Sequence, residues 1–273
     1  MEWKTIPGIG QLSIIESSHS MFPHSSRVDG HTYKDSLYSF KGHYNDSSVA
    51  IFLPEKFHST DSIDLVFYFH GWNNNINKAI EKFKLLEQFA QSSKNAVFVF
   101  PEGPKNAPDS FGGKLEEENV FKSLVADVLD FLHNENKTTS TKPGRIILAG
   151  HSGAYRVISF ILNRGGLTDN IKEVYLFDAL YGQVQKYTHW LNNYDGRLVN
   201  IITPNGGTFY NSKEVVADFS DWNIPFYAYN KNDISETELH EERIIFIFSE
   251  LGHSEVVNPY LKLFLKTSSL DNN

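Results

Sequence analysis

From residue 48 onward, short apolar runs alternate along the chain with segments of helical period. Most runs are continuously apolar, which is typical of strands covered on both faces in a parallel sheet. They occupy residues 48–53, 64–70, 96–101, 145–150, 173–178, 198–204 and 243–249. A further run at 224–229 contains Pro225, so we expect an edge strand or a loop there.

The segments between these runs predict helices. Residues 76–90, 121–132 and 154–162 each place their apolar side chains on one stripe of a helical surface. Residues 230–242 are acidic and poor in apolar side chains, so we expect a surface loop. The alternation of strands and helices predicts an α/β fold, with a mostly parallel central sheet flanked by helices.

The beginning of the chain has a different character. It is polar and rich in turn-forming residues, so we expect residues 1–47 to be an extension packed on the core of a single domain, residues 48–273. A metal site is one hypothesis for its histidines, but they lack helical ligand spacing and an evident carboxylate partner, so no metal is predicted. These are His19, His24, His31 and His43.

Composition excludes several functions. The chain has 273 residues and a formal charge of -8, which argues against binding of duplex nucleic acid. It has no cysteine, so disulfides, thiolate metal sites and cysteine nucleophiles are excluded. No apolar stretch approaches the ~20 residues of a membrane span, and no signal sequence is visible at the start. We therefore expect a soluble, cytoplasmic protein; its oligomeric state stays open.

The most specific motif in the sequence lies in residues 145–156, RIILAGHSGAYR. An apolar strand leads directly into GHSGA, residues 150–154, and a helix of regular period follows. This is the strand–turn–helix context of a nucleophile elbow, G-x-S-x-G, with Ala154 in the last small position. The pattern predicts that Ser152 is a nucleophile at the amino end of a helix.

A serine nucleophile requires a base, and three histidines follow Ser152 in the chain. His253 comes after the last apolar run, where a loop returns to the same edge of the sheet. His189 lies in a helical pattern and His240 in the acidic segment, so both are predicted at the surface. We therefore expect His253 to be the general base.

The base in turn requires an orienting acid. Asp178 ends the buried run 173–178, at the strand edge where ligands bind in such sheets. The next run, 198–204, ends without a carboxylate. We expect Asp178 to be the acid, with Asp221 and Asp233 as reserves. The alternative for Asp178 is a turn or helix-cap residue.

An oxyanion hole requires two backbone N–H groups. Gly153, directly after the nucleophile, supplies one, and we expect Trp72, at the end of the run FYFHGW, to supply the other. A substrate pocket is expected around the same two segments and the loop after Asp178. The predicted pocket residues are His70, Gly71, His151, Tyr155 and Tyr181.

Together these motifs resemble the α/β-hydrolase superfamily. FYFHGW, GHSGA, LFDALYG and ELGHS occur in the order typical of the superfamily, over residues 48 to 266 approximately. An acid at Asp178 resembles the pancreatic-type lipase variant. The resemblance implies acyl transfer to water through an acyl-enzyme, without a cofactor.

The sequence thus predicts a serine hydrolase that cleaves a small carboxylic ester. An amidase or peptidase of the same mechanism is the alternative, because nothing in the sequence distinguishes leaving groups. A catalytically inactive α/β-hydrolase fold that serves as a binding module is a further alternative.

Overall fold

The structure, a computed structural model, describes residues 2–231 and 234–273. Within these two segments the backbone forms twelve β-strands and nine α-helices. The strands are β1 (Lys4–Ile6), β2 (Gly10–Glu16), β3 (His31–Tyr33), β4 (Ser36–Tyr38), β5 (Ser48–Pro54), β6 (Ile63–Phe69), β7 (Val97–Pro101), β8 (Pro143–His151), β9 (Ile171–Phe177), β10 (Arg197–Ile202), β11 (Tyr227–Asn230) and β12 (Ile244–Phe248). The helices are α1 (Phe40–His43), α2 (Ile76–Phe83), α3 (Leu85–Gln91), α4 (Val120–Asn134), α5 (Tyr155–Arg164), α6 (Val184–Asn193), α7 (Phe209–Asp221), α8 (Glu236–Glu241) and α9 (Val257–Lys266).

One large sheet organises the molecule. Its strand order is β1-β2-β5-β7-β6-β8-β9-β10-β12-β11, and β3 and β4 form a separate hairpin. The strands from β7 to β11 in this order are parallel, whereas β1, β2 and β5 join antiparallel at the other side. Because parallel strands end at the same edge, the loops after β6, β8, β9 and β12 meet at one carboxyl edge.

Helices cover both faces of this sheet. The helices α4, α5, α6 and α7 pack on one face, and α2, α3, α8 and α9 pack on the other. Along β6, Ile63, Leu65 and Phe67 enter the first layer. Val66 and Tyr68 enter the second, so a strand between two layers is apolar at almost every position. The predicted α/β fold with a mostly parallel sheet is confirmed.

The prediction of a single helix over residues 76–90 was wrong. The segment forms α2 and α3, separated at Lys84, which has a left-handed φ of 50°. Periodicity could not show this break, because the apolar residues of both helices pack on the same face of the sheet. The left-handed residue therefore divides the segment into two separate helices.

The surface loop predicted over residues 230–242 contains a helix instead. Ser235 caps α8 by accepting a hydrogen bond from the backbone N–H of Glu238, and the Glu238 carboxylate accepts one from the backbone N–H of Ser235, which completes a capping box. Leu239 packs into the core with 1% of its surface exposed. The segment at 224–229 leads into β11 at the sheet edge, in agreement with the predicted edge strand.

The amino-terminal residues extend the sheet rather than lying apart from it. β1 and β2 form its antiparallel margin, and the division of the chain after residue 47 stays a prediction. The histidines of this part have separate partners. His19 contacts Asp127 at 2.9 Å, and His24 contacts Glu117 at 2.9 Å.

None of the helices within the described segments is both long and apolar enough to cross a lipid bilayer.

A buried ionic cluster fixes the amino ends of β9 and β10, at the edge opposite the loops. Arg197 Nη1 donates to Glu173 Oε2 at 2.6 Å, and Tyr175 Oη donates to the same oxygen at 2.6 Å. The backbone N–H of Ser269 donates to the other oxygen at 2.6 Å. Glu173 is 2% exposed, so its charge depends on these donors rather than on water.

Removing this carboxylate should therefore destabilise the fold. We expect Glu173→Ala to lower the free energy of unfolding by about 3–5 kcal/mol, because it leaves the partly buried Arg197 without a counter-charge. Urea unfolding followed by circular dichroism measures this change. Lys172→Ala, at an exposed neighbouring position, is the control. An unchanged unfolding midpoint in Glu173→Ala would show that the cluster does not hold the two strands.

Candidate active site

The predicted site residues converge at the carboxyl edge of the sheet. β8 leads into Ser152, β9 into Asp178, and the loop after β12 carries His253. The loop after β6 carries Trp72 beside them. Four loops that are distant in sequence therefore meet because their strands are parallel neighbours.

The turn that carries Ser152 is strained and tightly packed. Ser152 has a φ of 56°, in the left-handed region, and α5 begins three residues later. A Cβ atom on Gly150 would lie 2.7 Å from Cβ of Ala154 and 2.6 Å from Cδ1 of Ile158. The small residues around Ser152 therefore allow strand and helix to approach, which is the geometry predicted for an elbow.

A continuous chain of hydrogen bonds joins the three predicted catalytic residues. Ser152 Oγ donates to His253 Nε2 at 2.9 Å. His253 Nδ1 donates to Asp178 Oδ2 at 2.6 Å. The hydroxyl thus faces a ring nitrogen that can accept its proton, while the opposite nitrogen is held by a carboxylate.

The carboxylate of Asp178 is fully buried and fully hydrogen-bonded. Thr203 Oγ1 donates to Oδ2, and Thr208 Oγ1 donates to Oδ1. Burial alone would raise the pKa of Asp178, but the hydrogen bonds from His253, Thr203 and Thr208 outweigh it and hold the pKa below its ordinary value. A Cβ on Gly206 would lie 1.6 Å from Oδ2, so only glycine admits this close approach.

His151 fixes the loop that carries His253. Its Nε2 donates to the backbone carbonyl of His253 at 2.8 Å, and the two rings lie 4.6 Å apart. Burial, together with the nearby charge of His253, lowers the pKa of His151 to about 4. The ring is therefore neutral at neutral pH and carries the proton that this hydrogen bond needs.

The alternative candidates lie elsewhere. His189 is exposed on α6, and His240 is on α8, where its Nδ1 donates to the carbonyl of Thr267. Asp221 is exposed at the end of α7. Asp233 lies outside the residues that the structure describes.

The loop after β6 lies directly against the elbow. A Cβ on Gly71 would be 2.5 Å from Cβ of Ser152 and 3.2 Å from the backbone nitrogen of Gly153. The peptide that joins Gly71 to Trp72 therefore runs beside the amide of Gly153. Both predicted oxyanion donors, the N–H groups of Trp72 and Gly153, thus belong to adjoining backbone segments.

His70 and Gly71 do not line the cavity, contrary to the pocket prediction. The His70 side chain is 1% exposed and points into the protein, where its Nε2 lies 2.9 Å from Glu102 Oε1. Its Nδ1 donates to the carbonyl of Gly71 at 2.7 Å. That carbonyl belongs to the same peptide as the N–H of Trp72, so His70 fixes the plane of the peptide from behind.

A cavity of about 1170 Å³ opens over Ser152. Three of the predicted pocket residues, His151, Tyr155 and Tyr181, do line it, together with Ser152, Gly153, Trp72 and His253. The remaining lining residues come from the Asn-rich loop, from α2 and its end, and from two serines. They are Asn73, Asn74, Lys78, Glu81, Lys82, Phe83, Lys84, Ser110 and Ser254.

Aromatic side chains form part of the cavity wall. The indole N–H of Trp72 donates to Ser110 Oγ at 2.7 Å, and Tyr33 of the β3–β4 hairpin packs edge-on against the ring at 5.2 Å. Burial and the charge of Asp178 raise the pKa of Tyr181 to about 12, so this wall carries no phenolate.

Sequence reasoning missed two parts of this site. It missed the hydroxyls of Thr203 and Thr208, although both lie in the segment after β10, the strand next to Asp178 in the sheet. It also missed α2, whose charged residues were not among the predicted pocket residues. The break at Lys84 leaves α2 along the cavity, and no sequence pattern signalled that break.

Comparisons with known proteins agree with this architecture. Scans against protein-family models and a search of curated protein sequences found no match. Among solved structures, the feruloyl esterase module from Clostridium thermocellum superposes with a TM-score of 0.60 at 13% identity, covering 97% of this chain and 89% of that one. An S-formylglutathione hydrolase from Staphylococcus aureus has a TM-score of 0.54 at 10% identity, covering 96% and 100%. The strand order, the elbow and these superpositions agree: the chain has the fold of the α/β-hydrolase superfamily.

Proposed function

We propose that the protein is a serine hydrolase that cleaves a small carboxylic ester through an acyl-enzyme. The observation that carries the proposal is the hydrogen-bonded chain from Ser152 through His253 to the buried Asp178. This chain lies at a strained elbow and opens into a cavity of about 1170 Å³. Such an arrangement supplies a nucleophile, a base and a pocket at one point.

In the first step, Ser152 Oγ attacks the ester carbonyl as His253 Nε2 takes its proton. The ring becomes positively charged, and the carboxylate of Asp178 stabilises that charge at 2.6 Å. The low pKa of Asp178 keeps it ionised at neutral pH. His253 then gives the proton to the departing alcohol, which leaves an acyl group on Ser152.

The negative charge on the carbonyl oxygen needs donors that are already in place. We assign this role to the N–H groups of Gly153 and Trp72. The first amides of a helix lack internal acceptors, which leaves the N–H of Gly153 available. The hydrogen bond from His70 to the Gly71 carbonyl holds the peptide between Gly71 and Trp72. The N–H of Trp72 in this peptide is therefore directed away from His70.

Water then completes the reaction by the same route. His253 takes a proton from the water, the water attacks the acyl group, and Ser152 leaves with the proton returned by His253. The choice of an ester over an amide is supported by the structural neighbours with a TM-score above 0.5. These include two feruloyl esterases, which are named for ester cleavage.

Ser152→Ala should abolish covalent labelling by a fluorophosphonate probe. The probe reacts with activated serine hydroxyls, and kcat for ester hydrolysis should fall by several orders of magnitude. Labelling is read by mass spectrometry. Ser254→Ala, which removes another serine from the same cavity, is the control and should still be labelled. Labelling that persists in Ser152→Ala would contradict the assignment, and absence of labelling in the wild type would favour an inactive binding module.

Asp178→Asn should lower kcat by up to ~10⁴-fold, because an amide cannot hold His253 in the required tautomer. Steady-state kinetics on a 4-nitrophenyl ester measure the loss. Asp221→Asn is the matched control at an exposed carboxylate. A folded Asp178→Asn protein within tenfold of the wild-type kcat would mean that Asp178 acts only as a turn residue.

Gly71→Ala should lower kcat by about 10²–10³-fold, because the added Cβ displaces the oxyanion loop from the elbow. KM should change much less, because the cavity walls stay in place. Thermal unfolding of the same variant tests that the fold is retained. Full activity in Gly71→Ala would show that this loop does not supply an oxyanion donor.

A further inference from the structure

One wall of the cavity is positively charged, although the chain as a whole is acidic. Lys78, Lys82 and Lys84 line it together with a single carboxylate, Glu81. The formal charge of the chain is -8, so a local excess of cations is not a general property of its surface. A cluster of this sign at a substrate cavity attracts anions.

These lysines have no carboxylate partners among the ion pairs of the described residues. Lys78 Nζ donates to the amide oxygen of Asn106 at 2.7 Å, which leaves its charge uncompensated. Lys82 Nζ lies over the ring of Phe83 at 5.2 Å. By contrast, Arg156 is paired with the Glu116 carboxylate at 2.6 Å. The cavity lysines are thus available to a ligand.

Contacts place the end of α2 on the His253 side of Ser152. The ring of Phe83 packs against His151 at 5.2 Å, and the ring of His151 lies 4.6 Å from that of His253. In the proposed mechanism His253 delivers the proton to the departing alcohol. The alcohol portion of the substrate therefore occupies the side of the cavity where Lys82 and Lys84 lie.

We propose that the alcohol released by this hydrolase carries an anionic group, a carboxylate or a phosphate, which Lys82 and Lys84 bind. This inference rests on the proposed serine hydrolase function. The acyl part of the substrate lies on the other side of Ser152, and the proposal requires no charged group in it. The cavity volume of about 1170 Å³ accommodates an alcohol the size of a substituted phenol.

Matched acetate esters test the proposal. For a carboxylate, 4-acetoxybenzoate and 3-(4-acetoxyphenyl)propanoate are each compared with the corresponding neutral primary amide. For a phosphate, 4-acetoxyphenyl phosphate is compared with the neutral ester 4-methoxyphenyl acetate. Each rate is divided by the rate of hydroxide-catalysed hydrolysis of the same ester. We expect kcat/KM at low salt to favour the anionic member of at least one pair by about tenfold. The carboxylate and phosphate pairs distinguish the two kinds of anion.

The lysines are tested by the double variant Lys82→Gln/Lys84→Gln. The ratio of anionic to neutral kcat/KM should fall towards one, as it should for the wild type in high salt. The control variant Lys56→Gln/Lys172→Gln changes the net charge equally at exposed positions and should keep the wild-type ratio. Because each ratio is internal to one protein, a general loss of activity does not affect it.

Three outcomes would overturn the proposal. In the first, all pairs are hydrolysed without preference for the anion; in the second, the preference is the same in Lys82→Gln/Lys84→Gln. In the third, the charge preference follows the acyl group, seen as faster cleavage of mono-(4-nitrophenyl) succinate than of 4-nitrophenyl acetate. Failure of the folded protein to hydrolyse any ester or to react with a fluorophosphonate would instead contradict the proposed function.

Discussion

The candidate site depends on the burial of one carboxylate. Asp178 has no exposed surface, and a charge in such a place is stable only when its oxygens are hydrogen-bonded. Its side-chain donors come from two loops: His253 after β12, and Thr203 and Thr208 between β10 and α7. The loops at the carboxyl edge are therefore held together by the need to satisfy this single group.

Backbone strain accompanies this arrangement. Ser152 and Asp178 both have left-handed φ values, 56° and 46°, at the first position after a buried strand. Each conformation turns a side chain towards the neighbouring loop, and each requires small neighbours. The neighbours are Gly71 and Gly150 beside Ser152, and Gly206 beside Asp178. Strain of this kind persists when the surrounding packing determines it, and it is concentrated at functional sites.

The sequence was sufficient for those parts of the molecule that follow from local patterns. Apolar runs predicted the strands of a parallel sheet, and the strand–turn–helix context around Ser152 predicted the elbow. Because parallel strands end at the same edge, the ends of β9 and β12 then indicated where a partner for Ser152 should be found. This reasoning led to Asp178 and His253, which the structure brings within hydrogen-bonding distance.

The rest depends on tertiary geometry. The His70 side chain is indistinguishable in sequence from a pocket residue, but Glu102, directly after the neighbouring strand β7, draws it inward. The direction of α2 is set by one left-handed residue, Lys84, within a continuous apolar stripe. A hydrophobic period records which face of a helix is buried, and it does not record where the helix axis points. The charged wall of the cavity therefore became visible only in three dimensions.

The acyl-enzyme is the central claim, and trapping it is the most direct test. The protein is mixed with 4-nitrophenyl acetate, quenched in acid during turnover, digested and mapped by mass spectrometry. Our account predicts one acetyl group on the peptide that contains Ser152, which disappears when turnover is allowed to finish before the quench. Two results would contradict it. The first is ester hydrolysis with the acetyl group on a different residue, and the second is ester hydrolysis without any covalent intermediate under conditions in which deacylation is slow.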